Sequence, residues 1–441
     1  MLRGWRTRAL LTQEQLAERS GLNVRTVRRM EGDALSRPRA ASVVLLAEAL
    51  ELSDAERARL SSAARGLPAP AGAGDPAAGD VPRRPPAGAG GLEAVTVPRQ
   101  LPADVAALVG RDRELGILAD RPASPSAPVA CVSGMAGVGK TALAVHAAHR
   151  LAPLFPDGQL FVDLHGHARA TAPVEPGTAL ARMLRALGVP GERIPWHPDD
   201  RAALYRSVLA GRRVLIVLDD AADERRLHPL LPAGPGCHVI VTSRRRLTWD
   251  GDARGVPLDV LPVPDAVALF SRLAQLDAGA PEGDLAEVVR RCGLLPLAIR
   301  IAAARLLARP AWDVRHLLDR LAWDRLTELA DGQHSVAAAL DRSYERLPAD
   351  QRRAYRLLGT GCHADFGPGA AAALLDTSTP LAGRLLDQLL DAHLLQETAP
   401  CRYRMHDLVH EHAAALRPAD AGPGGHARRP GLRSRTPRWQ R

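Results

Sequence analysis

One lysine constrains this chain more than any other feature. The 441 residues include 58 lysines and arginines, and Lys140 is the only lysine among them. It lies in residues 134–141, GMAGVGKT, which match the phosphate-binding P-loop pattern G-x-x-x-x-G-K-[ST]. A slim ammonium stem reaches nucleotide phosphates where a wider guanidinium does not fit. The retained lysine therefore predicts a strand, a phosphate-binding loop and a helix in succession.

Composition narrows the class of protein. A chain of this length is expected to hold two to four domains. The five cysteines are scattered, odd in number and without C-x-x-C spacing, which indicates reduced thiols in a cytoplasm. The sequence has no run of about 18 apolar residues, so we expect no membrane span. Residues 1–40 carry a net charge of +5 and residues 416–441 carry +6. Two basic ends on a near-neutral body indicate contact with nucleic acid, and we expect a cytoplasmic, nucleoid-associated protein.

The hydrophobic pattern divides the chain into a multidomain arrangement. Residues 1–65 read as short helices, and residues 66–100 form a linker rich in Pro, Gly and Ala. Strands then alternate with helices over 101–265, which predicts an α/β domain with a buried parallel sheet. Residues 266–415 read as almost wholly helical. The tail over 416–441 has no hydrophobic periodicity, and we expect it to be disordered.

A helix-turn-helix pattern occupies residues 11–31, LTQEQLAERSGLNVRTVRRME. Thr12 and Gln15 can form a capping box at the start of the first helix. Gly21 can supply the left-handed turn, and Asn23 can cap the second helix. Leu16, Ala17, Leu22, Val27 and Met30 have helical spacing for a shared core, so this segment is expected to be an all-α domain.

Residues 2–65 resemble the lambda-repressor-like, or Xre-type, DNA-binding domains. The spacing leaves Arg25, Thr26, Arg28 and Arg29 available to the major groove and the phosphates of double-stranded DNA. The resemblance adds Gln13, at a position that helps grip the operator in that family. The alternative is a solvated arginine face on an ordinary helical bundle.

An acid pair completes the expected nucleotide site. A P-loop requires a magnesium-binding acid at the end of a neighbouring strand, and residues 214–218 form an apolar run that ends in Asp219 and Asp220. We expect Asp219 to hold Mg²⁺ together with Thr141. Asp220 could polarise an attacking water, and Lys140 would neutralise the phosphates. The alternative for the aspartates is a strand followed by a helix cap.

Further motifs resemble one family in their order and spacing. VGRDREL occupies residues 109–115, VTSR 241–244, CGLLPLA 292–298 and YRMHDLV 403–409. Together with the P-loop and the acid pair, they resemble the NB-ARC branch of the STAND signalling ATPases over residues 98–415. The resemblance implies a P-loop domain over 101–265, a helical subdomain over 266–325 and a winged-helix subdomain over 326–415.

The resemblance also implies residue roles. Val109, Gly110 and Arg111 match the segment that wraps the adenine, and Pro296 matches the proline that packs on the base. Arg244 matches the arginine that reports the γ-phosphate, and His406 matches the histidine that touches the β-phosphate of ADP. The implied cofactors are ATP or ADP with Mg²⁺. The nucleotide-binding loop itself comprises Gly134, Gly137, Val138, Gly139, Lys140 and Thr141.

Two departures from the family pattern stand out. The usual Gly-Leu-Pro-Leu is replaced by residues 294–297, LLPL, with Gly293 one place early. Family members also continue into a repeat domain that senses a ligand. The tail over 424–441 has the composition of an out-of-frame reading, so we expect a truncated or frame-shifted product whose signal reception is either lost or supplied by a partner.

Most of the remaining histidines are expected to have no functional role. His146 and His149 are expected on a helix surface, and His165 and His167 in a loop rather than at a metal. His410 and His412 are expected to be solvated.

These features predict a DNA-binding transcription regulator that ATP and ADP switch between an open, self-associating form and a closed one. Any hydrolysis would be slow. The alternatives are a turnover ATPase of the remodelling type and a nucleotide-independent repressor with a vestigial ATPase body.

Overall fold

The computed structural model describes two compact units, residues 1–90 and 91–441. The described residues are 5–6, 12–31, 40–50, 52, 56–57, 97–106, 108–120, 127–167, 172–247, 253–276, 281–332, 334–361 and 364–416. Most of the linker and nearly all of the tail therefore lie outside the described residues. No helix in the described part of the chain has the length and apolarity needed to cross a membrane.

The first unit contains a helix-turn-helix. Its helices are α1 (Gln13–Ser20), α2 (Val24–Glu31) and α3 (Ala40–Ala49). The predicted capping box is confirmed, because the Thr12 amide donates to Gln15 Oε1 at 2.8 Å and the Gln15 amide donates to Thr12 Oγ1 at 3.1 Å. Gly21 makes the turn with a φ of +67°. The predicted core is also confirmed, with Leu16, Ala17 and Val27 buried and Leu22 and Met30 packed against them.

A five-stranded parallel sheet forms the centre of the second unit. Its strands are β1 (Val129–Ser133), β2 (Gln159–Asp163), β3 (Leu215–Ala221), β4 (His238–Ser243) and β5 (Arg254–Pro257), in the spatial order β2-β3-β4-β1-β5. The acid-bearing strand was expected to be a neighbour of the P-loop strand. This expectation is wrong, because β4 lies between the P-loop strand β1 and the acid-bearing strand β3. The two motifs therefore face each other across an intervening strand.

Helices cover both faces of this sheet, as a continuous apolar strand pattern predicts. Alternate residues of β3 enter two separate cores: Leu215 and Val217 face one side, and Ile216 and Leu218 face the other. The helices around the sheet are α4 (Asp112–Ala119), α5 (Lys140–Leu151), α6 (Pro176–Ala186), α7 (Pro198–Leu209) and the single turn α8 (Glu224–Leu227).

In the described residues after the sheet, the second unit consists of helices and one β-hairpin. Its helices are α9 (Val263–Ala274), α10 (Glu282–Arg291), α11 (Pro296–Leu307), α12 (Val314–Trp323), α13 (Arg325–Glu328), α14 (Val336–Glu345), α15 (Ala349–Gly361), α16 (Pro368–Leu375), α17 (Thr379–Asp391) and α18 (Asp407–Ala415). The antiparallel pair β6 (Gln396–Ala399) and β7 (Arg402–Arg404) precedes α18 and forms the wing. We call residues 326–415 the winged-helix region.

Candidate nucleotide-binding site

A cavity of about 700 Å³ lies at the carboxyl ends of the strands. Its wall includes most of the residues that the sequence assigns to a nucleotide site: Val109, Arg111, Gly137, Val138, Gly139, Lys140, Thr141, Asp219, Asp220, Arg244 and Pro296. Gly110, Gly134 and His406 do not line it. The volume and position are those expected of a ligand site in an α/β protein.

The P-loop has the backbone that its glycines allow. Gly137 and Gly139 have φ values of +82° and +101°, in a region that side chains with a Cβ rarely adopt. The helix α5 begins at Lys140, and no side chain caps its N-terminus. Free amides at a helix N-terminus bind phosphate, so the start of α5 is suited to a nucleotide.

Lys140 lies almost fully buried beneath this loop. Its Nζ donates to the carbonyl oxygens of Gly134 and Met135, both at 2.8 Å. Burial lowers the pKa of Lys140 to about 7, and the charge of Arg244 adds to the lowering, although Asp220 and Asp219 oppose it. A bound phosphate would supply the negative charge that favours the ammonium form.

Asp219 and Asp220 both face the cavity although they are consecutive. Successive strand residues normally point to opposite faces of a sheet. Here the register between β3 and β4 shifts between Leu218 and Ala221, and Asp220 has a left-handed φ of +53°. This irregularity turns both carboxylates towards the P-loop.

Asp219 is the better candidate for holding a metal ion. It accepts hydrogen bonds from the hydroxyls of Thr141, at 2.8 Å, and Thr242, at 2.5 Å. Burial raises the pKa of Asp219, and these two bonds oppose the rise. Thr242, on the intervening strand β4, was not among the predicted site residues. It connects the two aspartates, because the Asp220 amide donates to the same hydroxyl at 3.0 Å.

The contacts of Asp220 differ from those of Asp219. The backbone amide of His167 donates to Asp220 Oδ2 at 2.8 Å, and His167 Nδ1 lies 2.9 Å from Oδ1. Burial raises the pKa of Asp220, but the hydrogen bonds with His167 and the charge of Arg244 outweigh it and leave the pKa below its usual value. The loop after β2, for which the sequence predicted no site, thus lines the cavity with His165 and His167, and Asp163 at the end of β2 lies beside them.

Arg244 joins the sheet to the winged-helix region. Its Nε lies 3.5 Å from Asp220 Oδ1, and its Nη1 donates to the Ala339 carbonyl at 2.9 Å and to Ser343 Oγ at 3.3 Å. Ala339 and Ser343 are one turn apart on α14. A single guanidinium therefore connects the acid pair to that helix.

The other end of the cavity is apolar. Its wall there consists of Leu108, Val109, Leu261, Leu269, Pro296 and Leu297. Leu297 also donates its amide to the Gly137 carbonyl at 3.1 Å, which ties the start of α11 to the P-loop. Arg111 is 6% exposed and donates to the Asp259 carbonyl at 2.6 Å. An apolar slot that leads into a polar, phosphate-binding end suits a nucleotide.

His406 lies at the N-cap of α18. Its Nε2 lies 2.8 Å from the Gly293 carbonyl, and its Nδ1 accepts the Leu408 amide at 3.2 Å. Gly293 has a φ of +62°, and an added Cβ would lie 2.5 Å from the imidazole. The early glycine in this motif is therefore the residue on which His406 packs.

Histidines outside the cavity wall also have defined partners. His146 and His149 contact Asp104 and the Pro102 carbonyl. The expectation of a solvated His412 is wrong, because it is 3% exposed and lies 2.8 Å from the Tyr355 hydroxyl and 3.0 Å from Asp341.

The residues that the sequence predicts to contact DNA belong to the first unit. Gln13 begins α1, and Arg25, Thr26, Arg28 and Arg29 lie on α2. The side chains of the three arginines lie outside the described residues.

The fold and the cavity define a P-loop nucleotide-binding protein. Residues 118–252 match the NB-ARC domain, and residues 1–60 match a helix-turn-helix domain. The chain therefore contains an NB-ARC domain of the P-loop class, with a helix-turn-helix domain on its N-terminal side.

The similarity to known relatives covers about two thirds of the chain. The chain is 47% identical over 298 residues to the regulatory protein AfsR of Streptomyces griseus, covering 67% of this chain and 30% of that protein. It is 48% identical over 290 residues to AfsR of Streptomyces coelicolor, covering 65% and 29%. It thus spans about a third of the length of these relatives. A solved STAND protein with a tetratricopeptide repeat sensor from Pyrococcus horikoshii is 17% identical, with a TM-score of 0.34, over 72% of this chain and 44% of that one.

Proposed function

We propose that this protein is a DNA-binding transcription regulator switched by ATP and ADP. In this account the nucleotide state controls whether the winged-helix region stays against the P-loop domain, and release of that region allows self-association. The observation that carries the proposal is the bridge formed by Arg244, which contacts Asp220 in the candidate nucleotide site and two residues of α14.

The candidate site suits a magnesium nucleotide. Thr141 and Asp219 would hold Mg²⁺ with phosphate oxygens and waters, since no group of three or more His, Cys, Asp or Glu residues in the described part of the chain could hold a metal by itself. The ion would neutralise charge on the phosphates. Lys140 and the first amides of α5 would bind the β-phosphate, and the apolar slot beside Pro296 would take the base.

Arg244 gives the site a means of reading the γ-phosphate. A guanidinium held by Asp220 and by two acceptors of α14 can exchange those partners for a phosphate oxygen, with which it forms strong charge-assisted hydrogen bonds. Such an exchange would weaken the contact between α14 and the P-loop domain. The triphosphate would thereby favour the open form through differential contacts with the two forms.

Asp220 is a poor candidate for a fast general base. Its hydrogen bonds with His167 and its ion pair with Arg244 occupy the carboxylate, and its lowered pKa reduces its basicity. We therefore expect hydrolysis at most slow enough to reset a switch. This weighs against a turnover ATPase.

The first unit would read double-stranded DNA in the cytoplasm, at the nucleoid. Gln13, Arg25, Thr26, Arg28 and Arg29 are the proposed contacts, and the resemblance to lambda-repressor-like domains together with the matched helix-turn-helix model supports them. The similarity to AfsR regulatory proteins supports a role in transcription. Self-association would bring several such domains together and raise avidity, and a separate partner would supply the activating signal.

A coupled binding experiment tests this function. The protein and Lys140→Ala are assayed on DNA sites selected from a random double-stranded library, with Mg²⁺ and either ADP or a non-hydrolysable ATP analogue. We expect the analogue to tighten binding by the wild type at least tenfold over ADP and to leave the variant unchanged. DNA binding that is equal in all four conditions would contradict the switch and favour a nucleotide-independent repressor.

A further inference from the structure

Two arginines in the cavity wall have no role in the proposed nucleotide switch. Arg300 lies on α11, next to the apolar slot, and Arg342 lies on α14, in the winged-helix region. Neither side chain has a hydrogen bond or an ion pair to another residue that the structure describes. The remaining described arginines of the wall, Arg111 and Arg244, both have protein acceptors.

Arg342 is the more informative of the two because it is half-buried. It neighbours Arg244, whose pKa is lowered chiefly by burial and further by the charge of Arg342, against the opposing charge of Asp220. Among the described residues, the ion pair to these two guanidinium groups comes from Asp220, and the charge of Asp219 also opposes the lowering. The described wall carries more basic than acidic side chains, with Arg111, Lys140, Arg244, Arg300 and Arg342 against Asp163, Asp219 and Asp220, and this excess favours an anion in the cavity.

His406 offers a contrast within the same winged-helix region. Both of its ring nitrogens have backbone partners, the Gly293 carbonyl and the Leu408 amide. It does not line the cavity, whereas Arg342 does. The polar group that the winged-helix region presents to the cavity without a protein partner is therefore Arg342.

We propose that Arg342 is the residue through which the winged-helix region binds the phosphate chain of the nucleotide, with Arg300 as a second, weaker contact from the helical subdomain. This inference rests on the proposed nucleotide site. A phosphate chain held by Lys140 from the P-loop and by Arg342 from α14 would connect the two regions. Arg244 follows β4 in the P-loop domain, whereas Arg342 lies on α14 in the winged-helix region. The two arginines therefore belong to different regions.

The phosphate chain of the nucleotide would then be part of the contact that holds α14 in the closed form. Arg244 holds α14 through protein acceptors alone, and Arg342 would hold it through the ligand. The affinity for ADP would then contain a contribution that exists only while α14 stays at the cavity. Adenosine has no phosphate and would gain nothing from Arg342.

The test compares Arg342→Gln with Arg346→Gln in the full chain. Arg346 is the exposed C-cap residue of the same helix and does not line the cavity, so it controls for loss of one positive charge from α14. Calorimetric titration with ADP, AMP and adenosine measures the affinities. We expect Arg342→Gln to weaken ADP binding about tenfold or more, AMP binding less, and adenosine binding hardly at all. Arg346→Gln should bind all three as the wild type does.

A second variant protects the test against misfolding. Arg342→Lys keeps the charge but loses the planar fork, so its affinity for ADP should lie between the wild type and Arg342→Gln. Equal ADP affinity in Arg342→Gln and Arg346→Gln would overturn the inference while leaving the nucleotide site intact. An equal loss for ADP and adenosine would also overturn it, because the role would then be structural. A wild type that binds none of the three would overturn both the inference and the proposed function.

Discussion

The two walls of the nucleotide cavity differ in how their polar groups are satisfied. On the P-loop side, the polar groups already have protein partners at 2.5–3.1 Å. Lys140 donates to the Gly134 carbonyl, and Asp219 accepts from the hydroxyls of Thr141 and Thr242. On the winged-helix side, Arg244 of the wall donates to the Ala339 carbonyl and the Ser343 hydroxyl of α14, and Arg342 has no hydrogen bond or ion pair to another described residue. The polar groups of the P-loop wall therefore have partners without a ligand, whereas Arg342 would gain its partner from a bound phosphate.

This difference would allow the proposed site both to bind a nucleotide and to act as a switch. A preorganised wall binds phosphate in either form of the protein, because its groups need no rearrangement. Breaking the two bonds from Arg244 to α14 costs a modest free energy, of the order of one or two charged hydrogen bonds, and the bond from the Arg246 amide to the Asp391 carbonyl is a separate contact of the winged-helix region. Variants on the first wall should therefore change affinity, and variants on the second should change the contact between the regions.

The largest effect is expected for Lys140. Lys140→Ala should weaken ADP binding by about 100-fold or more, because it removes the buried charge beneath the P-loop. Lys140→Arg should not restore binding, since a guanidinium does not fit the slot. The assay is a titration with fluorescent ADP, and Arg150→Ala, exposed near the end of the same helix, is the control. Wild-type affinity in Lys140→Arg would refute our explanation of the single lysine.

A smaller effect, confined to magnesium, is expected for Asp219. Asp219→Asn should lower the affinity for ADP with Mg²⁺ by about 30-fold and leave the affinity in EDTA nearly unchanged, because only the metal contact is lost. Asp220→Asn should affect magnesium dependence far less, since its carboxylate contacts His167 and Arg244 instead. If the two variants lose the same magnesium dependence, the division of roles between the aspartates is wrong.

Arg244 should alter the second wall. Arg244→Ala removes both bonds to α14, and we expect cleavage after Glu345 by a glutamate-specific protease to become about tenfold faster. Arg245→Ala, an exposed neighbour, controls for the loss of charge. Unchanged cleavage in Arg244→Ala would mean that other contacts hold the winged-helix region, such as the bond from the Arg246 amide to the Asp391 carbonyl at the end of α17.

The smallest effect is expected for the pH dependence of stability, through His393. Burial lowers the pKa of His393 to about 3, and the charges of Lys140 and Arg246 contribute. Its Nε2 is buried without a partner in the described residues. The unfolded chain binds the proton more tightly, so this group's contribution to stability is present above pH 6.5 and is lost as the pH falls from 6.5 towards 3.

Thermal unfolding at pH 7.5 and pH 5 measures this contribution. Between these two values, the Tm of the wild type should fall about 3 °C further than that of His393→Gln. His334→Gln, at an exposed histidine, should behave as the wild type. Parallel pH profiles for wild type and His393→Gln would remove His393 from the account.

Local patterns in the sequence predicted local structure well. The capping box of Thr12 and Gln15 depends on residues three apart, and the turn at Gly21 depends on one backbone angle. The P-loop, likewise, is a contiguous segment whose glycines and lysine specify their own conformation. Such features need no knowledge of what lies across the sheet.

The residues missed by the sequence depend on which segments meet in space. Thr242 matters because β4 lies between β1 and β3, an order that no local pattern specifies. His167 reaches Asp220 from the loop after β2, and Arg342 reaches the cavity from a helix about 200 residues beyond the P-loop. Charged residues on amphipathic helices are usually solvated, so Arg342 carried no signal before α14 was positioned.

The central claim is that the nucleotide controls the contact between α14 and the P-loop domain. Amide hydrogen exchange in α14 of the wild-type chain tests it directly, with Mg²⁺ and saturating ADP or a non-hydrolysable ATP analogue, and with α5 as an internal reference. We expect exchange in α14 to be at least several-fold slower with ADP than with the analogue, while α5 is protected equally by both. Equal exchange in α14 under the two nucleotides, at equal occupancy, would contradict the account.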